Sequence, residues 1–252
     1  MSLSLKGKTA LVTGSSRGIG RAIAERLAAD GASVVVNYTS QKKAAQELVK
    51  SIVDKGGKAV AIQADVSKTN EVRRLFDEAE KALGRLDIVV ANAGVFLGKS
   101  LLESTEEDYD FVFNINTKGA FFTLQESARR VRDGGRIIVV STGGTKMFFA
   151  NASLYIGSKG AIEQFARSLS RELGPRNVTV NILSPGYTET DMFNNAAGEL
   201  GGGEQFRTLG ASQSPFNRLG TSEEVADVTA FLASDDARWV TGQNIQAGGG
   251  VV

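Results

Sequence analysis

Tyr155 and Lys159, in Tyr155-Ile156-Gly157-Ser158-Lys159, are the residues of this chain whose types and spacing most directly suggest chemistry. Four apart on a helix, they share a face one turn removed. A tyrosine that titrates near pH 10 is a poor acid or base at neutral pH. An adjoining ammonium stabilises the phenolate and lowers that value, and an oxidised nicotinamide adds to the effect. Such a phenol can hand a proton to a carbonyl oxygen as hydride reaches the carbon. Tyr and Lys at this spacing also arise by chance on amphipathic helices, so the pair gains weight only from its surroundings. Upstream, a strand at Arg136–Val140 ends in Ser141-Thr142-Gly143-Gly144. A hydroxyl at the carboxyl end of a central strand faces the crevice where open α/β sheets bind ligands. Strand-ending turns favour the same residues for conformational reasons.

A second constellation lies near the amino terminus, where the run Thr9–Val12 leads into Thr13-Gly14-Ser15-Ser16-Arg17-Gly18-Ile19-Gly20 and then a helix. Glycines at a strand–helix junction let backbone N–H groups approach a pyrophosphate at the positive end of the helix. Gly14 is expected to permit the tight turn, Gly18 the close approach and Gly20 the packing of helix on strand. The end of the second strand then selects the nucleotide: an acid there grips a ribose 2′-hydroxyl, whereas a 2′-phosphate needs neutral or positive groups. Here Asn37, Tyr38, Thr39 and Ser40 supply no acid, and Arg17 offers a guanidinium for a phosphate. NADP(H) is the expected cofactor.

The composition narrows the alternatives. Lys plus Arg (29) nearly balances Asp plus Glu (28), and a formal charge of +1 gives no field to attract nucleic acid or an anionic membrane. The chain has no histidine and no cysteine. That excludes Ser-His-Asp catalysis, a disulfide framework, a thiolate nucleophile and the usual zinc sites, so no metal is expected. Met1 to Lys8 holds no apolar core of signal length, and no apolar run is long enough to span a bilayer, so a cytoplasmic location is expected.

These residues must be positioned by alternating strands and helices. Short β-branched runs at Thr9–Val12, Ser33–Asn37, Ala59–Gln63, Leu86–Val90, Arg136–Val140, Val178–Ile182 and Gly242–Ala247, most of them apolar without alternation, read as parallel strands covered on both faces. Helices are expected near 19–30, 41–55, 69–83, 104–131, 152–173 and 222–234. Start signals stand at Ser67 and Thr69, at Ser104-Thr105-Glu106-Glu107 and at Thr221-Ser222-Glu223-Glu224. The pattern predicts one α/β domain over residues 1–252, a doubly wound parallel sheet of Rossmann type in three layers. Residues 189–216, with Gly198 and Gly201–Gly203, have weak periodicity and read as a substrate lid inserted over the sheet's edge.

Taken together, these motifs resemble the short-chain dehydrogenase/reductase family, in its single-domain branch, over nearly the whole length. Thr13–Gly20 matches the family's glycine motif, and Asp65-Val66 the pair that holds the adenine ring. Asn92-Ala93-Gly94 matches the segment that steadies the central sheet, and Asn116 the helix asparagine that holds a water in a proton relay. Tyr155 and Lys159 match the catalytic pair, Lys159 also binding the nicotinamide ribose. Pro185-Gly186 with Thr188 and Thr190 matches the segment that fixes the nicotinamide carboxamide, and Trp239–Gln243 the approach to the last strand. The most similar subgroups are 3-oxoacyl-carrier-protein reductase-like and hydroxynaphthalene reductase-like members, which use NADPH. Two positions depart. The family's serine usually stands 13 residues before the tyrosine, here Thr142, and in some members 14, here Ser141; both are candidates, with Thr142 preferred. The usual acid near the carboxyl terminus is Ala247. The resemblance also implies a homotetramer built through the long helices and the last strand.

The expected activity is transfer of hydride between NADP(H) and a small carbonyl or alcohol substrate. Phe96, Phe148, Phe149, Tyr187, Met192 and Phe193 are candidates for an apolar pocket, with Met147-Phe148-Phe149 foremost. A nucleotide-binding sensor without turnover is a second reading, against which the Tyr155/Lys159 pair argues. In a third, Arg129, Arg130 and Arg132 dock an acidic carrier protein bearing a 3-oxoacyl chain, although a solvated helix end explains that cluster as well.

Overall fold

The computed structural model describes residues 4–147, 149–200 and 202–252. Its strands are β1 Thr9–Val12, β2 Ser33–Tyr38, β3 Lys58–Gln63, β4 Ile88–Ala91, β5 Arg136–Val140, β6 Thr179–Pro185 and β7 Asn244–Ala247. They form one sheet in the order β3-β2-β1-β4-β5-β6-β7, each neighbouring pair parallel. The helices are α1 Gly18–Ala29, α2 Lys42–Asp54, α3 Thr69–Leu83, α4 Glu106–Phe113, α5 Ala120–Arg130, α6 Ser153–Glu172, α7 Asp191–Glu199, α8 Gly203–Gln213 and α9 Ser222–Ala233.

Strand side chains alternate between two faces, and here both faces are core. Ala10 and Val12 of β1, with Val34 and Val36 of β2, pack against Ile23 and Leu27 of α1, Leu48 of α2 and Val225 of α9. Leu11 and Val35 face the other way, toward Leu75 and Phe76 of α3, Leu124 of α5 and Ile162 of α6. Hence β1 and β5 have no solvent-facing residue, and after their opening Thr9 and Arg136 their sequences are unbroken apolar runs. Helix α3 shows the complementary pattern: Val72, Leu75, Phe76 and Ala79 recur at helical spacing and are the buried ones. Burying a large apolar side chain is worth about 1.5–3 kcal/mol, so these stripes suffice to fix each helix on its side of the sheet.

The expected start signals hold at two helices. Thr105 and Asp108 form a reciprocal capping box at α4, and Thr221 and Glu224 form another at α9. At α3 no side chain caps the helix; Ser67 instead donates to Asp65 Oδ1 at 2.7 Å. The helix expected over 104–131 is broken in the middle by a π-helical segment, Asn114–Gly119, between α4 and α5. The weakly periodic stretch 189–216 is more ordered than expected, since it contains α7, capped by Thr190, and α8. Strand β6 runs three residues beyond its expected end, where Leu183, Ser184 and Pro185 pair with Ile245, Gln246 and Ala247 of β7. Strand β7 starts later than expected, after Gly242 turns the chain at φ +70°.

Candidate active site

The sheet order reverses between β1 and β4, and at such a switch point the carboxyl ends of the strands open a crevice for a ligand. Gly14 and Asn92-Ala93-Gly94 stand on its two sides. The Thr13 hydroxyl accepts from the amides of Asn92 and Ala93 (3.0 and 3.1 Å), while Asn92 Nδ2 donates to the carbonyls of Thr13 and Gly14 (2.9 and 3.1 Å). The glycine loop is thereby tied to the end of β4. Gly14, at φ +61°, leaves no room for a side chain, since a Cβ would lie 2.9 Å from Ala93 Cα. At Gly20 a Cβ would meet Asn92 Nδ2 at 2.5 Å and the Gly14 carbonyl at 2.6 Å, so this glycine packs the helix against the loop itself. These backbones make a cradle that any Cβ would fill, and Ser16, Arg17, Gly18 and Ile19 complete its lining.

The cleft that starts at this cradle has a volume of about 740 Å³. Thr39, Asp65, Val66, Pro185, Gly186, Thr188 and Thr190 all line it, as the sequence led us to expect. Asn37 and Tyr38 do not. Asn37 is buried: its Oδ1 accepts from the Gly14 amide at 3.0 Å, and its Nδ2 reaches the Ala64 carbonyl at 3.1 Å. It braces the glycine loop instead of facing a ribose. The Tyr38 ring is buried in the α1–α2 core. Ser40 and Gln41, just beyond β2, line the cleft in their place. Arg17 lies at its mouth, 3.9 Å from Asp191 at the start of α7, both side chains mostly exposed.

Helix α6 brings Tyr155 and Lys159 into the same cleft. Lys159 is buried, and its Nζ donates to the Val140 carbonyl at the end of β5 at 2.9 Å. The Tyr155 phenol has the Thr142 hydroxyl as its hydrogen-bonding neighbour. Thr142 Oγ1 accepts from the Gly144 amide at 3.1 Å, which leaves its proton free for that phenol. Ser141, the other candidate hydroxyl, donates to Glu163 Oε1 at 2.8 Å and is thus already committed.

The protonation states differ from the expectation. Burial raises the Tyr155 phenol above its ordinary value, with Thr142 partly opposing it. Burial also lowers Lys159 to about 8. In the protein itself desolvation leads for both groups, and both move toward their neutral forms.

Asn116 sits in the π-helical segment, fully buried, behind the cleft wall. Its side chain bridges Val95, accepting from the amide at 2.8 Å and donating to the carbonyl at 2.9 Å, and also donates to Ser158 Oγ at 3.0 Å. These bonds use its amide group within the protein, so its side chain holds the chain beside Gly94. A Cβ at Gly94 would lie 3.1 Å from Lys159 Nζ and 3.2 Å from Asn116 Oδ1, which shows how closely these groups are gathered.

Aromatic rings close the far side of the cleft. Phe96 meets the Tyr155 ring edge-on at 5.1 Å, and Tyr187 is surrounded by Phe149, Phe193 and Phe206 at 6.0–6.2 Å. Met147 and Met192 also line it, whereas Phe148 lies outside the described residues. Phe206 of α8, Ala196 of α7 and Leu200 at the end of α7 also line the cleft; they lie in the expected lid, but the weak periodicity of 189–216 did not single them out. Gly98 donates its amide to Glu199 at 2.8 Å, which ties the end of α7 to the loop after β4. Among the arginines considered for carrier docking, Arg129 and Arg130 bridge Glu126 on their own helix, and Arg132 lies 3.9 Å from Asp87.

This is a Rossmann-type fold whose cleft is lined by a glycine cradle and by a phenol, a buried lysine and a strand-end hydroxyl. The sequence profile of a family described as enoyl-(acyl carrier protein) reductase matches residues 14–252. A hydroxynaphthalene reductase-like protein of Metarhizium brunneum is 47% identical over 99% of this chain and 96% of its own. A short-chain dehydrogenase from Burkholderia cenocepacia, solved in complex with NADP, superposes with a TM-score of 0.91 at 40% identity, covering 98% of each chain. A landomycin C-6 ketoreductase, solved with NADP and rabelomycin, gives 0.88 at 40% identity over 98% of this chain and 97% of that one. The chain belongs to the short-chain dehydrogenase/reductase family of oxidoreductases.

Proposed function

We propose that the protein is an NADP(H)-dependent ketoreductase acting on a small, flat and largely apolar ketone or the matching alcohol. The observation that carries this reading is the Thr142–Tyr155 hydroxyl pair in the same cleft as the glycine cradle. The cradle fits a pyrophosphate through Gly14, Gly18 and Gly20, and Asp65 and Val66 would flank the adenine. Arg17, Thr39 and Ser40 would meet a ribose 2′-phosphate without an acid of the second strand in the way. Pro185, Gly186, Thr188 and Thr190 would hold the nicotinamide end, and Lys159 the adjoining ribose. When bound, the nicotinamide supplies or takes the hydride. Tyr155, kept protonated by its burial, gives the substrate oxygen its proton in reduction. Thr142 orients that oxygen. Asn116 and Asn92-Ala93-Gly94 act from behind, keeping Lys159 and the cradle in place.

Supporting a flat substrate are the rings of Phe96, Phe149, Tyr187 and Phe193, together with the hydroxynaphthalene in the name of the Metarhizium relative above. Helices α7 and α8 would serve as the lid. No helix among the described residues is long and apolar enough to cross a membrane. A cytoplasmic location, where reduced nicotinamide is at hand, belongs to the same reading. So does a homotetramer, supported by exposed Tyr109 and Phe121 on the outer side of α4 and α5 and by exposed Trp239 before β7.

The test is a panel of 1-tetralone, menadione and a 3-oxoacyl thioester with NADPH and NADH, read by nicotinamide absorbance. NADPH should be preferred and the aryl ketone reduced faster than the thioester. Tyr155→Phe should lose at least about 100-fold in kcat while still binding NADPH. An unimpaired Tyr155→Phe enzyme would rule out the mechanism.

A further inference from the structure

Behind the strand-end hydroxyls lies a buried carboxylate that the reaction as described does not use. Glu163 stands one turn beyond Lys159 on α6 and is only 4% exposed. Its Oε1 accepts from two hydroxyls, Ser141 Oγ at 2.8 Å and Thr145 Oγ1 at 2.7 Å, and its Oε2 lies 4.0 Å from the Arg167 guanidinium. A buried carboxylate is costly unless hydrogen bonds replace its water, and these two donors do so.

Their positions in the chain are informative. Ser141 immediately precedes Thr142, and Thr145 belongs to the 3-10 turn Gly143–Lys146 that follows it. Thr145 Oγ1 also lies 3.1 Å from the Thr142 carbonyl. Glu163 therefore grips the chain on both sides of Thr142, while Thr142 itself is left to take the Gly144 amide and face Tyr155.

We propose that Glu163 is a positioning residue: by holding Ser141 and Thr145 it fixes the turn that aims the Thr142 hydroxyl at Tyr155. The proposal rests on the reading of Thr142 and Tyr155 as the groups that meet the substrate. It also assigns Ser141 a task, as a strut for the turn.

The experiment compares E163M, which removes the accepting oxygens, with E163Q, which keeps one, in wild-type and Thr142→Val backgrounds. Assays use saturating NADPH and the panel ketone that the wild type reduces fastest. Displacing a contact of this kind by about 1 Å costs on the order of 100-fold in rate. E163M should therefore lower kcat by about 10- to 100-fold with NADPH affinity unchanged, and E163Q should recover most of the loss. In the Thr142→Val background E163M should add nothing, because the hydroxyl it positions is gone. Should E163M fail to fold, T145V, which leaves Ser141 on the carboxylate, carries the same comparison with a smaller loss. A crystal structure of E163Q or T145V adds a readout independent of turnover, namely whether Thr142 Oγ1 still faces Tyr155. Equal losses in both backgrounds, or an E163M enzyme with normal kcat, would overturn the proposal. If Tyr155→Phe is inactive while E163M is normal, this inference alone fails; if Tyr155→Phe is active, the underlying reading fails with it.

Discussion

Tyr155 and Lys159 sit where water reaches poorly, and each is pushed toward its uncharged form, the phenol upward and the ammonium down to about 8. For reduction this is the useful state of the tyrosine, which must begin protonated to act as an acid. The same burial has a consequence for stability. Lys159 titrates lower in the folded chain than its ordinary 10.5, so below pH 8 both folded and unfolded states carry the proton. Between 8 and 10.5 the unfolded state binds more protons, and stability due to this group rises with pH, by up to about 3 kcal/mol in all. Lys159→Met abolishes that term. Urea unfolding of both proteins from pH 7 to 10.5 should show the wild type gaining on the variant across this window; a constant difference would mean that Lys159 keeps its charge. At this scale the sequence was legible wherever a motif fixes a backbone, as at Gly14, Gly20 and Tyr155–Lys159. It misled at Asn37, because residue type alone does not say whether a strand-end side chain turns outward or braces the loop beside it.

The elements show why the glycine loop tolerates so little change. An alanine is a better helix former than glycine by about 1 kcal/mol, so Gly20→Ala would stabilise α1 if propensity decided. Here the added Cβ meets an amide nitrogen at 2.5 Å and a carbonyl oxygen at 2.6 Å, and overpacking of this kind costs about 1–3 kcal/mol. Packing should win: Gly20→Ala is expected to unfold at lower temperature and to bind NADPH at least about 10-fold more weakly by fluorescence titration. A more stable variant with unchanged affinity would refute this account. The π-helical segment makes a related point. Residues 104–131 carry a continuous helical pattern, and only tertiary bonds from Asn116 to Val95 and Ser158 reveal the break. Likewise Thr105 and Thr221 announced their helices through local caps, whereas α7 and α8, interrupted by glycines, gave little signal of their own.

At the scale of the molecule, alternating apolar runs and amphipathic stripes sufficed to read the sheet, because both faces of its central strands are core. The outer surface was less legible, since partners leave no periodicity. Tyr109 stacks on Phe113 at 4.1 Å, and Phe121 meets Phe165 edge-on at 5.2 Å, forming an apolar face on α4, α5 and α6. If this face joins subunits, Phe121→Arg should reduce the assembly to a smaller species by light scattering, with little change in folding because the ring is 41% exposed. An unaltered mass would place the contact elsewhere. The cleft draws its walls from residues as far apart in the chain as Gly14, just after β1, and Phe206 on α8, with the carboxyl ends of β4, β5 and β6 contributing between them. No fragment lacking the later strands could close around a nucleotide. Binding therefore draws only on fully assembled molecules, and the free energy of occupancy is returned to every strand alike, so that a cell rich in the coenzyme holds the entire sheet more firmly than any one of its contacts would suggest.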